Sequence, residues 1–574
     1  MIEQEARVTV RASNRPYTRD TQQCDAPPPY LTRILAACRA EPARTVLRWR
    51  ELSLTGRDFA VCVAQAHTAL LTAQEGHLAG PSTVGLLTEP NHPALLTYRY
   101  AAHLLGHSVV HLRSTNPGPD GALIDTAGQA EILGAWGARL LVVDEAHRNQ
   151  ADAIGRSLGG ALRILTVGPM PGEAPSATGM ASDLIVEPDA RMSPDLITYT
   201  SGSTGRPKAV RQRWAAWNAL VQQDASDLEA EHPVMLVVTP LSHAVGAMAD
   251  AVLAAGGSLL LHERFTADAV LDAIGTHRVT RTYLAVPHLY ALLEHPRLSH
   301  TDVSSLRALI YSGSPAVPAR LDEARRTFGH CLVQCYGTTE AGRITALDPL
   351  DHAEPDLLPS VGRPFPGIDV RVCPPDGTTP LPDGSTGEVW VRSPYMMSDY
   401  PADPALTGRT LHDGWLRTGD LGHWDVYGYL HLTGRRDGVI KTAGVRVRSE
   451  EVARVLAAHP DVRDAVVYGV RDSDAMEHVA AAVAPHPGRH DAQALLTALA
   501  RQAANLLSPQ HAPSHLVCWR ELPLTDNGKP DMGRITAPHG DPDVLTITEA
   551  TDMADPAESE AADTNEPAEI PGGH

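Results

Sequence analysis

The stretch LITYTSGSTGRPK, residues 196–208, decides the prediction of the fold. Its first half is an apolar run typical of a strand, and its second half is a loop of Ser, Thr and Gly that ends at Lys208. Gly202 and Gly205 permit tight turns in which backbone N–H groups converge on anionic oxygens, while hydroxyls and the Lys208 ammonium add donors and charge. We therefore predict phosphate binding by Thr200, Ser201, Gly202, Ser203, Thr204, Gly205 and Lys208.

This loop departs from the phosphate loop of ordinary P-loop NTPases. In that pattern, GxxxxGK[ST], a Ser or Thr follows the lysine, whereas here Pro207 precedes Lys208 and Ala209 follows it. A flexible polar linker is the alternative interpretation, but a linker needs no apolar strand to anchor it. The sequence therefore disfavours both an ordinary P-loop NTPase and a linker.

Apolar segments with helical spacing alternate with short strand-like runs along the chain, which predicts α/β construction. Examples are a helix over 98–105 and strands over 108–112 and 139–143. Short β-prone runs between 361 and 391, separated by turn-forming residues, predict hairpins. Because 574 residues exceed what one hydrophobic core usually serves, we expect at least two domains, with a boundary near Asp437.

The composition excludes several classes of protein. A formal net charge of -20 argues against general binding to DNA or RNA, which depends on clustered Lys and Arg. The seven cysteines lack the paired spacing of a disulfide scaffold or a zinc site. Residues 1–20 contain no apolar h-region, and Pro240 and glycines interrupt the apolar region 234–262. We therefore expect a cytoplasmic protein with no secretion signal and no membrane span.

Further stretches occur in an order that is specific for one family. They are TPLSHAVG (239–246), YSGSPAV (311–317), YGTTEAG (336–342), GEVWVRS (387–393), GWLRTGDLG (414–422), GRRDGVIKTAGVRVRSEEV (434–452) and LPLTDNGKPD (522–531). Together with the phosphate-binding stretch they cover roughly residues 30 to 536. The chain resembles the adenylate-forming superfamily, which comprises acyl-CoA synthetases, nonribosomal adenylation domains and firefly-type luciferases.

The resemblance implies a fold of two domains. A large N-terminal domain of mixed sheets with helices and a small β-barrel-like part is assigned to residues 29–436. A small mobile α+β domain, residues 437–538, follows and rotates about a hinge at Asp437. We expect a loose arm over residues 1–28 and an acidic disordered tail over residues 539–574, which lacks Lys and Arg from Asp541 onward.

Formation of an acyl adenylate brings a carboxylate onto the α-phosphate of a polyanion, so cations and N–H donors must offset the repulsion. By resemblance, Thr339 contacts the AMP phosphate, and Glu340 holds Mg2+, a cation that prefers carboxylate and phosphate oxygens. Asp420 accepts hydrogen bonds from both ribose hydroxyls, and Arg435 lies near the same sugar and phosphate. Also by resemblance, Tyr336 with Gly313, Ser314 and Pro315 shapes the adenine pocket, and Gly337 is a further nucleotide-binding residue.

The turn NGK contains Lys529, which matches the lysine that the family brings to the carboxylate and the α-phosphate during adenylation. We expect Lys529 to be the principal catalytic residue. His243 matches a position that gates the acid pocket, and the alternative is an ordinary core or rim histidine. Gly444 is expected to approach the acyl group after the hinge rotation. The pocket walls are predicted at residues 243–247, 285–289, 313–317 and 336–338.

Four positions depart from the usual pattern of the family: Ala209, Gly438, Ser449 and Met532. Most of them lie in or near the C-terminal domain that frames the acceptor. We therefore expect adenylation to survive these changes and acyl transfer to be more affected.

The sequence thus predicts a ligase that uses ATP, Mg2+ and coenzyme A. It joins a small aryl or medium acyl carboxylic acid to AMP, releases pyrophosphate and passes the acyl group to coenzyme A, in a setting such as secondary metabolism. Alternative acceptors are an amine, as in amide synthetases, or a free carrier protein.

An alternative of another class is a non-catalytic nucleotide-binding protein, which the retained Lys208, Glu340, Asp420, Arg435 and Lys529 disfavour. The acid, the acceptor and the oligomeric state stay open.

Overall fold

The computed structural model describes residues 29–74, 82–112, 124–170, 194–200, 208–228, 232–375, 377–442, 445–471, 476–486, 488 and 491–549. The chain divides into two units. The larger unit extends to Leu432 and also includes Leu524–Gly533, and the smaller unit contains Thr433–Pro523 and continues from Arg534. The division after Leu432 lies a few residues before the predicted hinge, and the segment that carries Lys529 belongs to the larger unit.

Strands and helices alternate along much of the described chain. In chain order, the strands are β1 Thr45–Trp49, β2 Leu52–Thr55, β3 Thr83–Leu87, β4 Ser108–His111, β5 Leu140–Val143, β6 Arg163–Thr166, β7 Asp195–Thr200, β8 Lys208–Arg213, β9 Val234–Val237, β10 Ser258–Leu261, β11 Arg281–Ala285, β12 Ala308–Ser312, β13 Leu332–Thr338, β14 Gly342–Leu347, β15 Arg363–Pro364, β16 Asp369–Cys373, β17 Gly387–Arg392, β18 Leu411–His412, β19 Trp415–Trp424, β20 Leu430–Arg435, β21 Val439–Thr442, β22 Val445–Arg448, β23 Val462–Arg471, β24 Glu477–Pro485, β25 His515–Trp519 and β26 Val544–Glu549. The α-helices are α1 Tyr30–Ala40, α2 Gly56–Gln74, α3 Ala94–Leu104, α4 Thr126–Ala135, α5 Arg148–Ser157, α6 Trp214–Leu228, α7 Ala244–Ala254, α8 Ala267–His277, α9 Val286–Leu293, α10 Pro318–Phe328, α11 Pro404–Thr410, α12 Ser449–Ala457, α13 Ala492–Leu506 and α14 Met532–Thr536.

The larger unit contains three sheets among its described residues. A nine-stranded sheet has the order β15-β14-β13-β12-β11-β9-β10-β1-β2, and a six-stranded sheet has the order β6-β5-β3-β4-β7-β8. Most of their neighbouring strands are parallel, and antiparallel strands lie at the ends. A third sheet, β16-β17-β19-β18 with β20 beside β19, is antiparallel in its described pairs and corresponds to the predicted barrel-like part.

Buried parallel strands explain the continuous apolar runs in the sequence. Strand β5 reads LLVV and is buried at every position. Leu140 and Val142 pack into one hydrophobic cluster, whereas Leu141 and Val143 pack into another. Because successive strand residues point to opposite faces, both faces of this sheet are covered by apolar side chains. This arrangement confirms the predicted α/β construction.

The core of the larger unit contains an ion pair between α3 and α7. The Arg99 guanidinium bonds the Asp250 carboxylate, and these side chains are 1% and 0% exposed. The Tyr100 hydroxyl donates to Asp250 Oδ1 over 2.6 Å, and Trp217 Nε1 donates to Asp250 Oδ2 over 2.8 Å. A buried carboxylate requires such partners. The network joins α3 and α7 to α6, and α7 begins directly after His243, one of the predicted site residues.

The smaller unit contains a four-stranded sheet, β23-β24-β25-β26, and a hairpin formed by β21 and β22. Val452 and Leu456 of α12 and Leu496 of α13 are fully buried in the apolar cluster that includes this sheet. The unit thus has the predicted α+β composition.

The prediction of a disordered tail from residue 539 is wrong for the last strand. Val544–Glu549 pairs with β25 in antiparallel register, and the fully buried Thr548 donates to Gln493 Oε1 over 2.7 Å. The acidic composition of the tail concealed the run VLTIT, whose β-branched residues suit a pleated surface. Residues 550–574, like the predicted arm over 1–28, lie outside the described residues.

Among the described residues, no helix has the length and apolar character needed to cross a membrane.

Substitution of Asp250 should destabilise the larger unit. Asp250→Ala leaves Arg99 as a buried cation without its counter-charge, so we expect the free energy of unfolding to fall by about 3–5 kcal/mol. Asp369→Ala is the matched control, because its 2.7 Å pair with Arg392 is solvent-exposed and contributes about 0–1 kcal/mol. Urea unfolding of both variants measures the difference, and equal losses would contradict the role assigned to the buried pair.

Candidate active site

Two of the residues predicted to bind the nucleotide meet between sheets of the larger unit. Tyr336 lies in β13, and Asp420 lies in β19. The Tyr336 hydroxyl donates to Asp420 Oδ2 over 2.6 Å, and the Asp420 backbone N–H donates to Thr418 Oγ1 over 3.0 Å. These bonds hold the Asp420 carboxylate at the carboxyl end of β13, the edge where ligands of α/β sheets bind.

The turn between β13 and β14 carries Thr339 and Glu340. The Tyr400 hydroxyl donates to Glu340 Oε1 over 2.7 Å, and the Met397 backbone N–H donates to the Glu340 carbonyl over 2.7 Å. Within the turn, the Ala341 N–H donates to Thr338 Oγ1 over 3.0 Å. The Glu340 carboxylate is therefore fixed by the segment around Tyr400, which no sequence motif assigned to the site.

Gly337 allows this hairpin to close tightly. The register of β13 and β14 shifts between Tyr336 and Gly337. A β-carbon at Gly337 would lie 2.4 Å from the carbonyl oxygen of Gly342, which is closer than real contacts allow. A larger residue at position 337 would therefore displace the turn that carries Glu340.

Lys529 lies beside the loop that follows β12. The Gly528 N–H donates to the Thr525 carbonyl over 2.8 Å, and the Thr525 N–H donates to the Lys529 carbonyl over 2.8 Å, which closes a turn. A β-carbon on Gly313 would lie 3.6 Å from Lys529 Cε. The structure therefore brings Lys529 beside Gly313, the first residue of the stretch Gly313, Ser314 and Pro315 that the resemblance assigns to the adenine pocket.

The same turn docks closely against two other elements of the larger unit. Gly528 has φ +71°, and a β-carbon there would lie 2.5 Å from both Ala285 Cβ and His288 Cε1. The Asn527 amide nitrogen donates to His243 Nε2 over 3.0 Å, and His243 is the N-cap residue of α7. His243 thus meets the lysine turn, a contact that its predicted gating role did not include.

His288 contributes no positive charge beside Lys529 at neutral pH. Its ring stacks on Phe265 with centroids 4.1 Å apart and planes at 7°. Burial lowers the pKa of His288 to about 4, so the imidazole is neutral at pH 7.

Other predicted residues are placed only in part. Thr200 and Lys208 pair across the antiparallel strands β7 and β8, so the predicted phosphate loop connects these strands. Ser201, Gly202, Ser203, Thr204 and Gly205 lie outside the described residues, as does Gly444. Arg435 is exposed at the end of β20 and belongs to the smaller unit.

The lysine content is a sequence signal that the motifs did not reveal. Of 48 Lys and Arg residues, Lys208, Lys441 and Lys529 are the three lysines, and the other 45 are arginines. Two of the three are predicted site residues, and Lys441 lies on β21, close to the predicted hinge. Lys208 and Lys529 thus carry a compact ammonium in a chain that uses arginine at almost every other basic position, and the two groups are not interchangeable.

The matches to known proteins agree with this arrangement. Residues 35–401 match the AMP-binding enzyme family, and residues 451–529 match the C-terminal domain of AMP-binding enzymes. The chain belongs to the AMP-binding enzyme family. This membership confirms the predicted adenylate-forming superfamily and its α/β fold.

Relatives of this AMP-binding enzyme include two ligases of aryl acids. The chain is 33% identical to the indoleacetate–CoA ligase of Aromatoleum aromaticum, over 85% of this chain and 94% of that protein. It is 34% identical to a feruloyl-CoA synthase of Amycolatopsis sp., over 87% and 96%. Among solved structures, the amide bond synthetase McbA from Marinactinospora thermotolerans matches with 34% identity and a TM-score of 0.74, over 89% of this chain and 99% of McbA. The enzyme class, an adenylate-forming ligase of the acid–CoA ligase type, is thereby supported.

Gly528→Ala should misplace Lys529 in this AMP-binding enzyme. The added methyl group collides with Ala285 and His288, and a displacement of about 1 Å at a reacting group costs roughly 100-fold in rate. Acid-dependent pyrophosphate exchange measures this loss. Gly540→Ala is the control, because Gly540 has a similar φ of +83° and no described atom lies within 4 Å of its β-carbon position. Equal exchange rates in the two variants would contradict the docking role of Gly528.

Proposed function

We propose that the protein activates an aryl carboxylic acid with ATP and transfers the acyl group to coenzyme A. The observation that carries this proposal is the position of Lys529 beside Gly313, in the same unit as the Tyr336–Asp420 pair and Glu340. A cation, a ribose-binding carboxylate and a metal-binding carboxylate are the groups that adenylation of an acid requires.

In the first step, a carboxylate oxygen of the acid attacks the α-phosphorus of ATP, and the bond from that phosphorus to pyrophosphate breaks. The attack joins two anions, so the Lys529 ammonium reduces their repulsion as the new P–O bond forms. Asp420 and Tyr336 orient the nucleoside, and Thr339 contacts the α-phosphate. The predicted loop between β7 and β8, with Lys208, would bind the leaving pyrophosphate.

The donor groups near Glu340 fit Mg2+ in a site shared with the nucleotide. Among the described residues, no three His, Cys, Asp or Glu side chains form a group that could hold a metal ion. Mg2+ commonly binds one or two carboxylates together with substrate phosphates, and Glu340 retains acceptor capacity beside its bond from Tyr400. Glu340 would hold the ion, and the bound cation would neutralise phosphate charge as pyrophosphate leaves.

In the second step, the coenzyme A thiol loses its proton, its sulfur attacks the acyl carbon, and the bond from that carbon to AMP breaks. The CoA ligases among the relatives support this acceptor. The roles predicted for Arg435, Asp437 and Gly444 belong to this proposal, as does a cytoplasmic setting, where both ATP and coenzyme A are available.

The similarity to the amide bond synthetase McbA favours a second candidate function. McbA is matched over 99% of its length at the same identity as the feruloyl-CoA synthase. In an amide synthetase, an amine nitrogen attacks the acyl carbon in place of the thiol, loses a proton, and AMP leaves. Both functions share the first step and differ in the acceptor alone.

Removal of the Lys529 ammonium should impair the first step. Lys529→Ala should slow pyrophosphate exchange by about 100-fold or more, comparable to the loss of a strong transition-state donor. Lys529→Arg tests whether any positive charge suffices, and we expect it to remain strongly impaired because the guanidinium is wider. Arg392→Ala, at an exposed pair, is the control for loss of a cation. Exchange near the wild-type rate in Lys529→Ala would remove this residue from its proposed role.

Acceptor competition separates the two functions. Purified enzyme is incubated with ATP, Mg2+ and a panel of aryl acids, and then with coenzyme A, with primary and secondary amines, or with both. We expect AMP and the acyl thioester to form in equal amounts, and no amide beyond the amount formed without enzyme. Enzyme-dependent amide formation without thioester would show that the acceptor is an amine and not coenzyme A. If none of the acids supports release of pyrophosphate, the whole proposal is contradicted.

A further inference from the structure

One face of three central strands is partly open, although these strands lie in the middle of a sheet. In β11, β12 and β13 the alternate residues Leu284, Leu309 and Leu332 are fully buried. The residues on the other face are partly exposed, and we call them the strand-face recess: Tyr283, Ile310, Ser312, Val333 and Cys335. Accessible side chains at the centre of a nine-stranded sheet indicate a recess into the larger unit.

The recess is enclosed even though solvent reaches it. Burial raises the pKa of Tyr283 to about 12 and the pKa of the Cys335 thiol to about 12. On α7, a helix that is otherwise buried, Ala244 and Met248 stay accessible and are one turn apart. These residues follow His243, so the accessible face of α7 begins at the contact with the lysine turn.

The recess begins beside the reacting groups. Ser312 directly precedes Gly313, the neighbour of Lys529, and Cys335 directly precedes Tyr336, the partner of Asp420. An acid whose carboxylate lies at Lys529 can therefore extend its body along the strand-face recess.

An ion pair lies at the far side of the recess. Arg343 of β14 bonds Asp224 of α6, and the side chains are 16% and 19% exposed. The Arg343 guanidinium carbon also lies 4.5 Å from the ring centroid of Phe365 and 5.6 Å from that of Tyr395. Arg343 pairs with Gly337 of β13, which lies two residues after Cys335 and therefore on the same face of the sheet, so the ion pair lies next to the recess.

The sheet geometry gives the distance that the substrate acid spans between Ser312 and Arg343. The order β12-β13-β14 puts two strand spacings between Ser312 and Arg343, and each spacing is about 4.8 Å. The distance of about 10 Å matches an aromatic ring with a short side chain.

The ion pair determines which chemical group the substrate can carry at the end remote from its carboxylate. An apolar group that covers the pair removes its water and replaces none of the lost hydrogen bonds, which is costly. A second carboxylate is also disfavoured, because Asp224 already neutralises Arg343 and repels another anion. A hydroxyl or ring N–H can donate to the Asp224 carboxylate, which accepts several hydrogen bonds.

On the basis of the proposed acid activation, we infer that the substrate is a planar aromatic acid with a hydrogen-bond donor at its far edge, selected by Asp224 and Arg343. Ser312, Tyr283 and Cys335 line the body of this acid. Asp224 accepts the donor, and Arg343 holds the Asp224 carboxylate in position. Neither residue takes part in the chemistry at the acid's own carboxylate.

Pairs of acids matched in size test this inference. Burial raises the pKa of Asp224 to about 6 despite the opposing effect of Arg343, so assays at pH 8 keep Asp224 ionised. Acid-dependent pyrophosphate release is measured for 4-hydroxycinnamic against cinnamic acid, and for indole-3-acetic against 1-naphthaleneacetic acid. We expect kcat/KM to be at least about tenfold higher for the donor-bearing acid of each pair, because it gains a hydrogen bond to a charged group.

Two variants of the ion pair and one control variant test whether the pair causes the preference. The double substitution Asp224→Leu and Arg343→Met removes both charges and leaves none unpaired, so the preference for the donor should fall to less than about twofold. The same change at the exposed pair, Asp369→Leu with Arg392→Met, is the control and should leave the preference unchanged. Asp224→Asn leaves Arg343 without its counter-charge, so 4-carboxycinnamic acid should gain over 4-hydroxycinnamic acid.

The outcomes separate this inference from the proposed function. Equal turnover of both acids in each pair by the wild-type enzyme would overturn the inference and leave acid activation intact. Retention of the donor preference in the charge-free double variant would also overturn it. No pyrophosphate release with any acid of the panel would overturn the proposed function itself. Circular dichroism shows whether the variants fold. If they do not, the ratio of kcat/KM for the two acids of each pair with the wild-type enzyme decides the inference.

Discussion

The close fit of the turn Thr525–Lys529 against the rest of the larger unit is the constraint on which the site depends. Gly528 leaves no room for a β-carbon beside Ala285 and His288, and Asn527 bonds His243 at the start of α7. These contacts fix where Lys529 lies relative to Gly313. Under the proposed function, this fixed position is what makes the flexible Lys529 side chain effective, because packing supplies the free energy of ordering it before the reacting groups meet.

The rest of the site follows from the need to manage negative charge. In the proposed first step, a carboxylate and a nucleotide polyanion come together where two acidic side chains, Asp420 and Glu340, already lie. Each of these two acidic groups is held by a tyrosine hydroxyl, from Tyr336 and Tyr400 respectively. A hydroxyl that donates to a carboxylate orients it and spreads its charge without adding a cation that would compete for phosphate.

The α/β construction could be predicted from local patterns in the sequence, and the two-domain architecture from the resemblance to the family. The predicted strands over 108–112 and 139–143 correspond to β4 and β5, and the helix over 98–105 corresponds to the last part of α3. The contacts that complete the site could not be predicted. Asn527 and His243 are 284 residues apart, and Tyr400 reaches Glu340 across 60 residues, so neither pair leaves a local pattern. The strand β26 was missed because overall composition outweighed a short β-branched run.

The scarcity of lysine makes the central claim directly measurable. Reductive methylation with 13C labels the amino groups and keeps the charge of each lysine, so an NMR spectrum contains signals from Lys208, Lys441 and Lys529 beside that of the N-terminal amine. Substitution of each lysine by Arg assigns its signal. If Lys529 lies at the reacting phosphate, its signal should shift when a non-hydrolysable acyl-AMP analogue binds. An unchanged Lys529 signal at saturating analogue, with binding verified by calorimetry, would contradict the account.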